Sequence, residues 1–440
     1  MKTPSVAVIG AGWAGCAAAV ELARRGADVT LFEAARTAGG RARRIDYHGQ
    51  VLDNGQHILL GAYRDSLRMM TAVGLEPSQL LMRVPLQMRY PEGSGGMDLR
   101  APRLPAPLHM AVGVLRARGL SLADKLSMAR FASAARWMGW QLNIDCTVTE
   151  LLERFDQTDR LTKLMWRPLC IAALNTPPER ASARVFLAVL RDSLAAGRSA
   201  SDMLLPRVDL SALFPDAAIA WLQKHGAKVM PGVRATRVRA EADNWVIEAA
   251  GMSHRFRHVV IATSASHAQG LLDDVDPALA RALEFDHEPI TTCYLQYAPQ
   301  VTLPCPLLAL VDDPDREHWG QFAFDRGQLD AAQSGLLAVV TSASAMATGD
   351  GASALEMSVA RQLAEVLRRP DLAAPLWSKA VTEKRATFAC VPDMKRPPNE
   401  TAHRGLWLAG DYTEGEYPAT IEGAVRSGLR AAAQLLHAAG

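Results

Sequence analysis

Two short apolar runs open the chain, within Ser5–Ile9 and Asp28–Glu33, and an alanine-rich, helix-favouring stretch at 13–25 separates them. Runs without polar alternation are what strands buried on both faces require, so strand, helix and strand predict one parallel βαβ unit. The pattern changes near residue 85. A Pro/Gly-rich stretch at 91–107 leads into helical periodicity over 121–142, 148–155 and 183–196. Residues 226–250 return to short β-rich runs, which end in Val259-Val260-Ile261-Ala262-Thr263. Strands are predicted over 290–297, 307–311, 319–324 and 336–341, an amphipathic helix over 354–368, a buried strand over 406–409 and a closing helix over 421–437. Nucleotide-type β/α material therefore stands at the start, the middle and the end, with unlike material between. No internal repeat is present at solenoid or propeller periods.

The expected fold class is α/β. A Rossmann-type dinucleotide-binding domain assembled from residues 1–84, 215–280 and 386–440 would carry a largely helical insertion at 85–214 and a sheet plus helix at 281–385 as an α+β substrate domain.

Composition narrows the picture by exclusion. The chain has 440 residues, 49% hydrophobic and 21% charged, with 48 basic against 46 acidic side chains, a net charge of +2. That balance leaves no electrostatic footprint for nucleic acid. The six cysteines are scattered without a CxxC pair or a zinc spacing, so no metal site is expected, and reduced thiols in a cytoplasmic protein fit best. Residues 1–5 lead straight into the first strand, which does not read as an export signal, and no uncharged stretch is long enough to span a bilayer.

The chemistry begins at Gly10-Ala11-Gly12-Trp13-Ala14-Gly15, a GxGxxG directly after a strand and directly before a helix. Gly10 serves the tight turn, Gly12 the close approach of a pyrophosphate and Gly15 the packing of helix on strand, while the helix N-terminus offers free N–H groups to the phosphates. Glu33, at the end of the second strand, is placed to accept from ribose hydroxyls. Gly39-Gly40-Arg41 lets the chain hug a dinucleotide while Arg41 offers a fork of donors to a phosphate. Near the C-terminus, a strand ending in Gly410-Asp411 precedes a glycine-spaced helix start. Asp411 suits a ribityl hydroxyl, and the helix N-terminus at Thr420, Ile421 and Glu422 suits the electron-rich edge of a flavin.

Together these residues resemble the FAD-containing amine oxidase and phytoene desaturase superfamily. The resemblance implies non-covalent FAD, an adenine contact from the backbone of Val233, cofactor contacts from Thr263, and a loop carrying Gly55, Gln56 and His57 beside the isoalloxazine. A narrower likeness joins Leu52-Asp53-Asn54-Gly55-Gln56-His57 in the first segment to three motifs of the insertion: Leu174-Asn175-Thr176-Pro177-Pro178, Arg191-Asp192-Ser193, and the stretch from Leu204 to Leu210 (LLPRVDL). These resemble the squalene-associated branch, the hydroxysqualene dehydroxylases of hopanoid biosynthesis. That likeness implies an isoprenoid lipid substrate, reductive loss of its hydroxyl, and a location on the inner face of the cell membrane beside other squalene-pathway enzymes. An isoprenoid desaturase or amine oxidase, and a non-catalytic flavoprotein scaffold, stay open as alternatives. No second GxGxxG follows a strand, so an outside electron donor is expected.

Four residues are candidates for catalysis. His57 has the proton chemistry for neutral pH, with a structural histidine as the equal alternative. Asp53 suits an acid or, more simply, a brace for its loop. Glu416 is an acid if burial raises its pKa, and Tyr417 is expected to wall the substrate channel. Arg191, Asp192, Arg207 and Asp209 read as an ion-pair lattice. Residues 104–140 mix large apolar side chains with Arg116, Arg118, Lys125, Arg130 and Arg136. Two readings fit that stretch: a helix pair facing the core, or an interfacial patch on lipid.

Overall fold

The computed structural model describes residues 4–349 and 351–439; residues 1–3, on which the reading of the N-terminus partly rests, lie outside them. In chain order, the elements that build or flank the site begin with β1 (Ser5–Ile9), α1 (Trp13–Arg24) and β2 (Asp28–Glu33). Helices α2 (Leu108–Arg116) and α3 (Leu122–Trp137) come next, then β3 (Lys228–Pro231) and β4 (His258–Ile261). Strands β5 (His287–Gln296), β6 (Leu307–Ala309), β7 (Phe322–Asp325), β8 (Leu336–Ser342) and β9 (Trp377–Phe388) follow, and β10 (Leu406–Leu408) and α4 (Ile421–Ala439) close the chain.

The first sheet has the order β3-β2-β1-β4-β10 with all pairs parallel. Strand β1 lies at its centre. Its Ala7 and Ile9 join one hydrophobic core and its Val6 and Val8 another, which is why its sequence shows no polar alternation. From β1 the chain moves to β2 and β3 on one side, then returns to β4 and β10 on the other. That reversal opens a crevice beyond the carboxyl ends of β1 and β4. Helix α4 packs on α1 so closely that a Cβ on Gly428 would lie 2.1 Å from the Ala14 carbonyl oxygen.

The second sheet is antiparallel, in the order β6-β7-β8-β5-β9. Cys293 and Leu295 of β5 and Val339 of β8 form a separate core with Val359 and Leu363 of the helix Ala352–Val366. The sequence reading has no strand at β9. Its residues, WSKAVTEKRATF, carry charges through the middle because it is an edge strand that pairs only with β5 and stays half-exposed. It also runs through position 385, where a boundary was expected.

The insertion is less purely helical than expected. Met203–Pro206 pairs with Leu59–Leu60 and Leu81–Val84, which stitches the two regions together. The helix expected over 183–196 is α-helical at Ala183–Leu190 and widens into a π turn at Arg191–Ala195. The helix Arg167–Leu174 was not anticipated. Pro168 reads as a breaker, yet it sits in the first turn. The helix expected over 121–142 ends at Trp137, just before Gly139 at φ 64°.

Candidate functional site: a dinucleotide cleft

A cleft of about 830 Å³ occupies the crevice between the switch-point strands. Its floor is two glycine turns pressed together. Gly10 takes φ 105°, and a Cβ there would lie 2.8 Å from the Ala262 carbonyl oxygen after β4. Gly39 donates its N–H to the Ala11 carbonyl at 2.8 Å, and Gly40, at φ 64°, brings its Cα close to Gly12. The Gly39-Gly40 pair therefore first serves the approach of one turn to the other. Gly15 is not in the lining at all: a Cβ there would lie 1.8 Å from the Gly10 carbonyl oxygen. Gly12 is the opposite case. The nearest atom to a Cβ on Gly12 is the Gly40 Cα at 3.9 Å, so a side chain would project into open cleft.

Helix α1 begins at this point with Gly12 as its cap and no capping side chain. The first bond into that cap comes from the Cys16 N–H to the Gly12 carbonyl at 2.9 Å, so the N–H groups of Trp13, Ala14 and Gly15 precede the intrahelical ladder. A phosphate-sized space, a glycine with no Cβ and a bare helix N-terminus make a fit for the pyrophosphate of a dinucleotide.

The remaining lining falls into groups. Glu33 is pinned by two backbone donors, Ala11 N–H to Oε2 at 2.6 Å and Ala35 N–H to Oε1 at 2.7 Å, and its other lone pairs remain for hydroxyls. Val233 lines the cleft and donates its N–H to the Glu33 carbonyl at 2.8 Å, which leaves its own carbonyl and side chain to face a ligand. Thr263, Thr420 and Ile421 line the cleft, and Thr420 Oγ1 caps α4 by accepting from the Gly423 N–H at 3.0 Å.

Arg41 and Asp411 line the cleft as a pair. Arg41 Nη2 meets Asp411 Oδ1 at 2.6 Å, and Nη1 donates to the Ala386 carbonyl at 2.6 Å. Burial alone would weaken the guanidinium as a base, yet the Asp411 carboxylate raises its pKa above the ordinary value. By sequence each residue suits a ligand of its own, Arg41 a phosphate and Asp411 a ribityl hydroxyl; in the fold they bind each other. They are 370 positions apart, and the pair bolts the Gly39-Gly40 turn to the loop that follows the last strand. Gly410 is required by its neighbour, since a Cβ would lie 2.4 Å from the Tyr412 ring.

The four catalytic candidates separate. His57 lines the cleft and donates Nδ1–H to the Gly55 carbonyl at 2.8 Å, which leaves Nε2 unprotonated in the neutral ring. Burial lowers its pKa below 6.5, and Arg41 adds to the effect. Asp53 faces away from the cleft. Its Oδ1 accepts from the Leu210 N–H at 2.8 Å, and burial, opposed by Arg326, pushes its carboxyl up to about 7. Gln56 likewise lies behind the lining, its N–H on Thr292 Oγ1 at 3.1 Å and its Oε1 on Arg326 at 3.2 Å. Gly55, at φ 112°, makes the turn between them. Glu416 is exposed and paired with Arg191 at 2.9 Å, so the burial on which its acid role depended is not there. Tyr417 is outside the lining as well, its hydroxyl donating to Asp192 Oδ2 at 2.7 Å beneath the Arg426 guanidinium.

The lining also holds polar residues that the motifs do not point to, among them two on β9. Glu383 and Arg385 of β9 line the cleft, and Glu383 Oε2 accepts from Asn54 Nδ2 at 3.1 Å. Their signal was the unrecognised strand. The narrower motifs each tie separated elements together: Asp53 holds Leu210, Asp192 holds Tyr417, and Asn175 joins β5 to β9 through the Glu288 carbonyl at 3.1 Å and Thr387 Oγ1 at 3.0 Å.

Residues 13–436 match the family model of flavin containing amine oxidoreductases. The chain belongs to this family. Within it, the chain is 31% identical over 457 aligned positions to a hydroxysqualene dehydroxylase of Rhodopseudomonas palustris, with 99% of each chain covered. It is 30% identical to a hydroxysqualene dehydroxylase of Sinorhizobium fredii over 97% of each. A solved oxidoreductase from Methanosarcina mazei shares the fold at a TM-score of 0.72 and 16% identity, covering 97% of this chain and 99% of that one. As a flavin containing amine oxidoreductase, the protein is an FAD-dependent oxidoreductase with an α/β FAD-binding fold and an inserted substrate domain. The FAD is non-covalent, and no cysteine is among the residues that line the cleft. Among the described residues no His/Cys/Asp/Glu cluster could hold a metal ion, and no helix is long and apolar enough to cross a membrane.

Proposed function

We propose that this protein removes the hydroxyl group of hydroxysqualene reductively and releases squalene and water. The observation that carries the reading is the end-to-end likeness to hydroxysqualene dehydroxylases, which runs through the insertion as well as the cleft. Two of the motifs that resemble that branch meet where Asp53, in the loop that carries His57, accepts from the Leu210 N–H. Such a substrate is allylic, so acid-assisted loss of water leaves a delocalised cation that one hydride completes. Bound FAD, when reduced, supplies that hydride.

The chain's own residues have the other tasks. The Arg41–Asp411 pair holds the two cofactor-binding loops at a fixed spacing. His57 is the candidate proton source, because it alone of the four lines the cleft. Its Nδ1–H is fixed on Gly55, so the proton at stake is the one on Nε2. Asp53, Gln56 and Tyr294 brace the loop from behind, with the Tyr294 hydroxyl on the Asp53 carbonyl at 2.9 Å. An outside reductant recharges the cofactor, and the protein works at the inner face of the membrane that holds its substrate.

Anaerobic mixing of the reduced holoenzyme with hydroxysqualene tests this reading: flavin reoxidation and squalene formation should proceed together. Flavin that stays reduced removes the reading and favours a scaffold, whereas oxygen uptake with a polyamine favours an amine oxidase. The pH profile tests His57. A depressed pKa leaves Nε2 mostly bare at neutral pH, so turnover should rise about tenfold per unit as pH falls from 8 towards that pKa, below 6.5. His57→Gln should flatten the profile, and an unchanged slope in that variant would assign the proton elsewhere.

A further inference from the structure

Helix α3 buries Met128, Phe131 and Ala135 in the main core, yet it turns Leu122, Leu126 and Trp137 outward, Trp137 at 89% exposure. Helix α2 behaves in the same way. It buries His109 and Gly113 while Leu108 and Leu115 stand in solvent, Leu115 at 70%. With Leu104 before them and Ile144 after them, seven of the twelve exposed large apolar side chains of the described residues fall between positions 104 and 144. Single exposed apolar residues are ordinary; this concentration is not. The patch is contiguous at its centre, where Lys125 Nζ donates to the Leu115 carbonyl at 2.8 Å and joins the end of α2 to the first turns of α3.

The exposed charge carried by this stretch itself has one sign. Arg103, Arg116, Arg118, Arg130 and Arg136 are exposed, and none forms a salt bridge among the described residues. Between positions 99 and 144 the single acidic residue is Asp124. It is buried in the capping box of α3, with Ser121 and Thr158 as partners. A second copy of the chain docking face to face here would set arginine against arginine. An anionic lipid surface meets both demands, since its headgroups take the arginines and its acyl boundary takes the leucines and the tryptophan.

We propose that α2 and α3 form a docking surface for an anionic bilayer. Leu108, Leu115, Leu122, Leu126 and Trp137 enter the acyl boundary, and Arg116, Arg130 and Arg136 lie at the headgroups. The use of this surface, collecting a water-insoluble isoprenoid, rests on the function proposed above. Its existence does not, and it is measured without substrate.

The test is flotation of the FAD-loaded protein with vesicles of phosphatidylcholine containing about one third phosphatidylglycerol, at low and high salt. The protein should float at low salt, and far less with phosphatidylcholine alone or at high salt. Leu115→Ser/Leu126→Ser/Trp137→Ser should reduce the bound fraction about tenfold or more, as should Arg116→Glu/Arg130→Glu/Arg136→Glu, with FAD content and circular dichroism matching the parent. A control at exposed apolar positions elsewhere, Met252→Ser/Met357→Ser/Leu376→Ser, should float like the parent. The proposal is overturned by parent protein that stays at the bottom at low salt, or by either patch variant floating as the parent does. It is also overturned by light scattering that shows a dimer which the serine variant dissociates, since the patch would then belong to a second copy. Flotation without turnover of hydroxysqualene would remove the function and leave the surface standing.

Discussion

The glycine cleft and the α2–α3 surface use the chain in opposite ways. In the cleft, binding depends on backbone: Gly10, Gly12, Gly39 and Gly40 bring two turns into contact and bare a helix N-terminus, and side chains act mainly by being absent. On α2 and α3 the backbone is ordinary helix, and everything depends on which way each side chain points. The first arrangement tolerates almost no alternative residue, because a Cβ has a fixed position. The second tolerates many, because any large apolar residue outward serves. One leaves a motif and the other leaves only a composition.

Substitutions at Gly15 and Gly12 would break the first half of that comparison most sharply. A valine at Gly15 would set its Cβ 1.8 Å from the Gly10 carbonyl oxygen, so the protein should fail to fold and appear insoluble or without a cooperative melt. A valine at Gly12 has no protein atom nearer than 3.9 Å to its Cβ, so that protein should keep its circular dichroism and lose its yellow colour. Soluble Gly12→Val with a full complement of FAD would refute the pyrophosphate assignment.

A neighbouring pair on α3 sharpens the second half. Phe131 is fully buried, so Phe131→Ala should cost about 3–5 kcal/mol in denaturant unfolding. Trp137, six residues on, should cost under about 0.5 kcal/mol when changed to alanine. Comparable losses at both positions would mean that Trp137 is covered in the folded protein in solution.

A smaller loss than at Phe131 is expected at Arg41, a side chain that joins two loops of the cleft. Arg41→Ala strands the Asp411 carboxylate and should lower stability by about 2 kcal/mol, below the full figure for a buried pair because the guanidinium is a third exposed. FAD affinity, read by fluorescence titration, should fall about tenfold or more. Arg41→Lys should recover little, since an ammonium does not hold Asp411 and the Ala386 carbonyl with one planar fork.

How far sequence reached follows from these physical differences. The parallel strands were legible because β1 is buried on both faces, and the GxGxxG turn because Gly10 takes φ 105° and a Cβ on Gly15 would strike the Gly10 carbonyl. Strand β9 was not legible. A half-exposed edge strand carries no continuous apolar run, so Glu383 and Arg385 went unseen with it. Residues 104–140 were ambiguous for a different reason: α3 has apolar residues on both faces, so the core-facing reading and the interfacial reading each matched part of it. Phe131 went inward and Trp137 outward, and no periodicity along one helix distinguishes a core from a solvent-facing patch.

By itself, then, the sequence determined the class of cofactor and the architecture that holds it, because those depend on local backbone geometry and on runs of buried residues. Only the tertiary structure decided the partners: Arg41 with Asp411, Asp53 with Leu210, Tyr417 with Asp192, and His57 left alone of its group in the lining. Those pairings join residues 157 to 370 positions apart. What brings them together is the packing of whole elements, which acts on side-chain direction and leaves no trace in spacing along the chain.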